Sequence, residues 1–263
     1  MLKKRLIPKL LIKHHEIRGK SRPILVTTRL FQEVINVGDP VSQAKIYEAQ
    51  LADELIVLNI DGTLIGEDDM MLGLVECLAS QIFMPLTVGG GVRTVDDFGR
   101  LLERGADKIS INTEALNTPE LITGAAQRYG AQCVVVSIDF RKDASGQAVV
   151  AKDRARTMTN LKVIDWAREA VSLGAGELLL CDADRDGTGA GLNWEIGRLV
   201  AASVTVPVIL SGGCGVADHF VRGFVDGLAD GVAAGNYFCF RDQNPMQTRA
   251  HIRNAGVPIR MET

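Results

Sequence analysis

Four glycine-rich or amide-bearing segments follow β-branched apolar runs, which places them where strands end. Val88-Gly89-Gly90-Gly91 and Ser110-Ile111-Asn112-Thr113 form one neighbouring pair, and Ser211-Gly212-Gly213 and Gly235-Asn236 form a second. Glycine lets the backbone approach an anion closely, and amides with an Asn or Thr side chain can then bind phosphate. A lone Gly-Gly is more often a tight turn. The matched pairs predict two phosphate cradles and an elongated substrate with a phosphate at each end.

A carboxylate at the end of the fifth predicted strand lies between these cradles in the sequence. Asp139 ends the apolar run Val136-Ser137-Ile138, so a partly desolvated carboxyl group is expected at the rim of the same face. Desolvation raises the pKa of a carboxyl group, which suits it to proton transfer. The alternative is an aspartate that only caps the following loop. Asp61 and Asp186 carry the same ambiguity, because Asp-Gly also marks a turn.

Eight short apolar runs must position these residues, and amphipathic stretches separate them. The predicted strands are Arg5–Ile12, Glu54–Ile60, Leu86–Val88, Lys108–Ile111, Cys133–Ile138, Glu177–Cys181, Val208–Leu210 and Gly231–Ala234. The clearest predicted helices are Pro40–Gln50, Asp68–Ser80, Val95–Arg104 and Lys162–Ser172. Eight β-then-α units in 263 residues predict an α/β fold of the (β/α)8 TIM-barrel type.

The second half of the chain repeats the first. The matched segments are Ala52-Asp53-Glu54-Leu55 with Ala175-Gly176-Glu177-Leu178, Gly89-Gly90 with Gly212-Gly213, and Ala106-Asp107 with Ala229-Asp230. Each pair is 123 residues apart, and Asp61-Gly62-Thr63 returns as Asp186-Gly187-Thr188 after 125. A near-constant offset predicts two half-barrels of four βα units. Because no linker composition interrupts the chain, residues 1–263 are predicted to form a single barrel domain.

Two connections are unusually long, at 13–38 after the first strand and 140–160 after the fifth. Connections of this length are expected to be functional lids or disordered segments. The repeat places both on the same face, on opposite sides of the barrel. His14 and His15 fall in the first, without a clustered carboxylate or thiol pattern, so they are predicted to be solvated loop residues. No metal site is predicted.

The composition indicates a small-molecule partner. A net charge of −3 with scattered Lys and Arg argues against a nucleic acid or an anionic membrane as the main partner. No apolar run reaches the roughly 18 residues of a membrane span, and no signal peptide is expected. The 5 cysteines lack CxxC spacing and mostly lie in apolar runs. They predict reduced, buried thiols in a cytoplasmic protein, with Cys214 in a glycine loop as the exception.

Charged residues begin four of the predicted strands, at the face opposite the cradles. They are Arg5, Glu54, Lys108 and Glu177. Such residues are often no more than solvated strand ends. Their alternating signs nevertheless permit a ring of ion pairs that closes this end of the barrel.

Together these features closely resemble the cyclase subunit of imidazole glycerol phosphate synthase, over nearly the whole chain. The motifs that carry the resemblance are Thr87-Val88-Gly89-Gly90-Gly91, Gly105-Ala106-Asp107-Lys108-Ile109-Ser110-Ile111-Asn112, Asp184-Arg185-Asp186-Gly187-Thr188 and Ser211-Gly212-Gly213. The resemblance implies a (β/α)8 barrel that forms a heterodimer with a glutaminase subunit and needs no cofactor. Such a barrel receives ammonia through its interior, and uses it to cleave and cyclise a bis-phosphorylated substrate of histidine and purine metabolism.

The resemblance also implies roles for individual residues. The implied phosphate contacts are Gly91, Asn112 and Thr113 on one side, and Asp186, Gly187, Gly213, Gly235 and Asn236 on the other. The implied ammonia gate is Arg5, Glu54, Lys108 and Glu177. Asp107 matches a residue at the glutaminase interface, and Asp139 matches one of two catalytic aspartates.

The position of the other catalytic aspartate is Leu11. The family reads a Cys-Leu-Asp-Val-Lys type of sequence where this chain reads Lys9-Leu10-Leu11-Ile12-Lys13. Leucine cannot transfer a proton, and loss of an acid/base group commonly costs orders of magnitude in rate. Thr27-Thr28, Asn59-Ile60-Asp61 and Asp153-Arg154-Ala155-Arg156 also depart from the family pattern.

These departures favour a subunit that still docks a glutaminase and conducts ammonia to a phosphorylated substrate, but has left the histidine pathway. It then resembles paralogues associated with surface-polysaccharide (lipopolysaccharide) gene sets, where ammonia builds an amidino group on a sugar. One alternative is an authentic histidine-pathway cyclase in which another acid, such as Asp61, replaces the missing one. The other is a non-catalytic scaffold that binds a phosphorylated ligand and activates the glutaminase.

Overall fold

The computed structural model of the protein describes residues 3–17, 20–62, 65, 70–240 and 243–260. Within these ranges the strands are β1 Arg5–Ile17, β2 Lys20–Arg29, β3 Glu33–Gly38, β4 Leu55–Asn59, β5 Leu86–Gly89, β6 Lys108–Ile111, β7 Val134–Lys142, β8 Ala148–Lys152, β9 Thr157–Lys162, β10 Glu177–Asp182, β11 Val208–Ser211 and β12 Gly231–Ala234. Eight of them, β1, β4 to β7 and β10 to β12, pair in parallel in that order. The ring closes because β12 pairs with β1 and β7 pairs with β10. The predicted (β/α)8 barrel is confirmed.

Helices follow the barrel strands. They are α1 Pro40–Ala49, α2 Met70–Ala79, α3 Val95–Glu103, α4 Thr113–Asn117, α5 Glu120–Tyr129, α6 Val163–Leu173, α7 Trp194–Ala201, α8 Ala217–Val225, α9 Asn236–Phe240 and α10 Pro245–Asn254. Local chemistry sets their ends: Thr94 and Asp97 form a reciprocal capping box at α3, and α6 stops at the left-handed Gly174. Asp68, the predicted start of α2, lies outside the described residues. Among the described helices, none is long and apolar enough to cross a membrane.

The two long connections form strands in their described residues, so the prediction of disordered segments is wrong there. β1 runs beyond the barrel and returns as the antiparallel β2, to which β3 adds. β7 runs on in the same way into β8 and β9. We call these the first ribbon and the second ribbon. His14 and His15 therefore lie on a strand rather than in a loop, and the His14 backbone N–H donates to Asp61 Oδ2 over 2.7 Å.

Six of the eight barrel strands contribute to two apolar cores, because successive side chains point to opposite faces. Leu6 and Leu10 of β1 belong to the large core that also contains buried residues of the helices, whereas Ile7 faces the barrel interior. The interior apolar layer consists of Ile7, Ile56, Val135, Leu179, Ile209 and Ala233, with Leu58 packed against it.

The two halves of the barrel use the same local devices. Asp107 Oδ2 accepts a hydrogen bond from the Leu86 N–H over 2.8 Å, and Asp230 Oδ2 accepts one from the Val208 N–H over 3.2 Å. In both halves an aspartate therefore caps the start of the preceding barrel strand. This agrees with the repeat in the sequence.

The cysteines are less uniformly buried than their apolar surroundings predict. All five are free, but Cys77 is exposed, and Cys133 and Cys239 are half-buried. Cys214, the expected exception, is buried together with Cys181. Cys77 and Cys239 lie on helices, where a residue beside the apolar face can still be exposed.

Candidate functional site

Four charged side chains close the end of the barrel where the strands begin. Arg5 donates to Glu54 Oε2 over 2.8 Å and to Glu177 Oε1 over 2.5 Å. Lys108 contacts the same two carboxylates at 3.0 and 2.8 Å, so cations and anions alternate around a ring. Thr87 Oγ1 also donates to Glu54, over 2.8 Å. The carboxylates raise the pKa of Arg5 although its burial alone would lower it.

Polar groups face the opposite end of the barrel interior, beyond the apolar layer. They are the buried side chains of Lys9, Ser110, Ser137, Asp139, Cys181 and Ser211. Most lie two residues beyond a ring or apolar-layer residue of the same strand, so they point to the same face. The interior is thus layered into a charged ring, an apolar layer and a polar floor.

A cavity of about 550 Å³ lies over this floor. Its lining includes Gly91, Asn112 and Thr113 from the first predicted cradle, and also Asp139. It reaches down to Leu179 of the apolar layer. Cavities of this volume are typical of small-ligand sites. The structure therefore brings the first cradle and the candidate acid together in one space.

The second predicted cradle borders a much smaller space, of about 20 Å³. The lining includes all of its predicted residues, Asp186, Gly187, Gly213, Gly235 and Asn236. A space of that volume holds roughly one water molecule.

The first ribbon covers this second cradle. Thr28 Oγ1 donates to Asp186 Oδ2 over 2.6 Å, and Asn236 Nδ2 donates to the Thr28 carbonyl over 3.0 Å. Gly187 has φ +68°, and a Cβ there would lie 2.3 Å from the Thr28 carbonyl oxygen. Glycine is therefore required at 187 by both its backbone conformation and the close approach of β2.

The second ribbon borders the main cavity with a strained turn. Asp153, Arg154 and Ala155 have φ values of 56°, 61° and 56°. Non-glycine residues avoid this left-handed region, and such strain clusters at functional sites. The Asp153 N–H donates to Thr113 Oγ1 over 3.0 Å, which ties the turn to the first cradle.

Arg141 ties the two ribbons together. Its guanidinium donates to the Ala155 carbonyl over 2.9 Å and to the Leu30 carbonyl over 3.2 Å. Phe31, whose φ is 61°, packs against the small buried cluster that contains Ala155. The two ribbons therefore meet over the mouth of the barrel.

Asp139 is buried at the floor of the main cavity. Burial raises its pKa from 3.8 to about 6, although the positive charge of Lys9 and a hydrogen bond with Asn112 lower it. A carboxyl group with this pKa exchanges protons near neutral pH. Leu11 lines the same cavity and is buried.

Lys9 is the site residue that the sequence analysis missed. Its ammonium donates to Ser211 Oγ over 2.8 Å and to Cys181 Sγ over 3.6 Å, and it lines both cavities. Burial alone would lower its pKa, but the negative charges of Asp186 and Asp139 contribute to raising it overall. The signal was available, because residues 5, 7 and 9 of one strand share a face.

Asp107 lies at the ring end of the barrel and is exposed, while its carboxylate holds the start of β5. In the part of the chain that the structure describes, no cluster of three or more His, Cys, Asp or Glu side chains could hold a metal ion.

Comparison with known proteins agrees with this architecture. The model of a family described as "Histidine biosynthesis protein" matches residues 15–244. A protein of Prochlorococcus marinus (strain MIT 9313) is 48% identical over 262 residues, which cover 100% of both chains. That protein carries the provisional name imidazole glycerol phosphate synthase subunit hisF2.

Proposed function

The chain belongs to the histidine biosynthesis protein family, and from this membership we propose that it is the synthase-type subunit of a glutamine amidotransferase. It docks a glutaminase at the ring end of the barrel, around Asp107. Ammonia enters past Arg5, Glu54, Lys108 and Glu177. It then reaches a phosphorylated substrate in the main cavity, beside Asp139.

The layered interior is the observation that carries this proposal. A ring of charges at one end, an apolar layer, and a polar floor under a cavity of about 550 Å³ form one continuous series along the barrel axis. Ammonia is small and uncharged, so its desolvation free energy in an apolar layer is small. Ammonium would pay a large desolvation cost there, so the layer favours the neutral, nucleophilic form.

The proposal includes divergence from the histidine pathway. Leu11 cannot replace an acid. The space at the second cradle has a volume of about 20 Å³, which is too small for a second phosphate. We propose a nitrogen acceptor with one phosphate, bound at Gly91, Asn112 and Thr113. By resemblance to paralogues with a replaced aspartate, a sugar of surface-polysaccharide metabolism is the proposed acceptor.

Phe83 provides a direct test of the docking face. It lies between α2 and β5 at the ring end, its side chain is 93% exposed, and its backbone N–H donates to Glu48 Oε2 over 3.1 Å. Exposed aromatic residues on fixed backbone are typical interface anchors. We expect Phe83→Asp to weaken glutaminase binding by roughly 30-fold or more, as measured by calorimetry with the glutaminase subunits of the same organism.

Phe240→Asp is the matched control, since Phe240 is also exposed but follows β12, at the opposite end of the barrel. It should leave binding unchanged. Glutamine-dependent ammonia release by the complex should follow the same pattern. Absence of any complex with the wild-type chain would refute the proposed function. Normal binding by Phe83→Asp would show that the docking surface does not include Phe83.

The histidine pathway is tested by complementation. We expect neither the wild-type chain nor Leu11→Asp to restore growth of a histidine auxotroph that lacks its cyclase subunit. The variant regains a carboxylate, but Lys9 and the covered second cradle remain. An authentic cyclase serves as the positive control. Growth with the wild-type chain would instead support the histidine-pathway alternative.

The two alternatives have less support in the geometry. Asp61, the candidate replacement acid, lines the main cavity, but its Oδ2 already accepts the His14 N–H over 2.7 Å and so holds the first ribbon. A non-catalytic scaffold would have no need of a buried carboxyl group with a pKa of about 6 at the floor of the cavity, as Asp139 has.

A further inference from the structure

Lys9 is a buried cation with hydrogen-bonding capacity to spare. It is only 7% exposed, and its ammonium donates to Ser211 and, weakly, to Cys181. An ammonium group has three N–H donors. Among the described residues no third acceptor is bonded to it, so one N–H is left for a ligand in the cavity that Lys9 lines.

The charges that face Lys9 act on it only through space. Asp139 and Asp186 both raise its pKa, yet within the described part of the chain the ammonium is bonded to Ser211 and Cys181 and to neither carboxylate. Cys181 does not supply a counter-ion, because burial raises the pKa of its thiol to about 12. A buried cation without a paired anion is costly, and an anionic oxygen of a ligand would reduce that cost.

A second observation indicates that a ligand binds in the same space. Asn112 lines the main cavity, and its Oδ1 is buried without a hydrogen-bond partner. Thr27 Oγ1 is likewise unpartnered and lines the smaller space. Buried polar atoms are nearly always satisfied in native proteins, so these positions are expected to be satisfied when a ligand is bound.

We infer that Lys9 binds the carbonyl oxygen of the nitrogen acceptor and stabilises the negative charge that develops there when ammonia adds. The inference rests on the proposed delivery of ammonia to the main cavity. It specifies the ligand as a phosphorylated sugar with an open carbonyl group and a single phosphate. The phosphate lies at the first cradle and the carbonyl at the floor.

The step balances with the groups present. The lone pair of ammonia forms the C–N bond, and the π electrons of the carbonyl move to its oxygen, to which Lys9 donates a hydrogen bond. The Asp139 carboxylate accepts a proton from the attached nitrogen and returns it to the oxygen, which yields a carbinolamine. Preorganised donors at a developing oxyanion are among the strongest contributions to catalysis. Lys9 beside the neutral Leu11 stabilises this negative charge. An aspartate at position 11, in addition to Asp139, would oppose it.

A pair of stable ligands tests the inference on the full-length chain alone. The probes are 5-phosphoribonate, whose carboxylate stands for the oxyanion, and ribitol 5-phosphate, which has a neutral alcohol in its place. Near neutral pH we expect calorimetry to show at least a roughly tenfold preference for the carboxylate. Lys9→Met should bring the two affinities within about twofold, and Lys9→Gln should do nearly the same, because charge and not hydrogen bonding sets the preference.

Lys13→Met is the matched control, because Lys13 lies on the same strand but lines neither cavity. It should keep the preference. Equal affinities in the wild-type chain would overturn the inference without any variant. So would a preference that survives in Lys9→Met, or borohydride trapping of ribulose 5-phosphate on Lys9, which would make Lys9 a covalent nucleophile. Neither ammonia nor a glutaminase is present, so failure here is distinct from failure of the proposed function.

Discussion

Glutamine in place of Glu54 is expected to lower the free energy of unfolding by about 3 kcal/mol. The Glu54 side chain is 2% exposed and accepts hydrogen bonds from Arg5, Lys108 and Thr87. The neutral amide leaves two cations with Glu177 as their only carboxylate in the ring. Removing one partner of a buried ion pair costs about 3 to 5 kcal/mol, and the partial exposure of both cations places the cost at the lower end. Urea unfolding followed by circular dichroism measures it.

Glu76→Gln makes the same chemical change at the surface and serves as the control. Glu76 contacts Arg104 at 2.5 Å, but its side chain is 62% exposed. Exposed pairs contribute about 1 kcal/mol or less. Equal losses for the two variants would mean that the ring is solvated in solution, and that it does not close the barrel end as the distances indicate.

The sequence predicted the barrel because barrel strands carry their own local signal. β6 and β12 begin and end where the apolar runs at Lys108–Ile111 and Gly231–Ala234 predicted. The ring was predictable as a hypothesis, since Arg5, Glu54, Lys108 and Glu177 begin strands and the repeat pairs Glu54 with Glu177. Which carboxylate each cation reaches depends on the stagger of the closed sheet, and only the structure gives it.

The ribbons were not predictable by the same reasoning. Lys13, His14, His15 and Glu16 are polar, and a polar run indicates a loop when hydrophobic periodicity is the criterion. In the structure the backbone of each of these residues pairs with a residue of β2. Most of their side chains lie outside the core. Backbone pairing of a two-stranded ribbon leaves little trace in composition. For this reason the cover over the second cradle was also missed.

Lys9 illustrates a different limit. A lysine within an apolar strand carries no functional signal of its own, because chemistry in this fold is expected at the strand ends. Its importance comes from what surrounds it, which is Ser211 from β11, Cys181 from β10 and the field of Asp139 from β7. These residues are between 130 and 202 positions away in sequence, so only the closed barrel assembles them.

Asp139→Asn is expected to change how stability depends on pH. The pKa of Asp139 rises from 3.8 to about 6 on folding, so the native state binds this proton more tightly than the unfolded state. The resulting stabilisation is fully present below the unfolded pKa and is lost as the pH rises through about 6. A difference of roughly two pKa units corresponds to about 3 kcal/mol. Asparagine cannot ionise, so the variant lacks this contribution to the pH dependence.

The measurement is the free energy of unfolding of both proteins from about pH 4 to about pH 7. The stability of the wild-type chain relative to Asp139→Asn should fall by about 2.5 kcal/mol over that range, with its steepest change about midway between the unfolded and folded pKa values. Lys9 lowers the pKa of Asp139, so Lys9→Met should move this change to higher pH. A relative stability that stays constant with pH would show that Asp139 is ionised throughout. The carboxylate would then be a weaker base, less able to take the proton from the attached nitrogen, and the addition step at Lys9 would need another base.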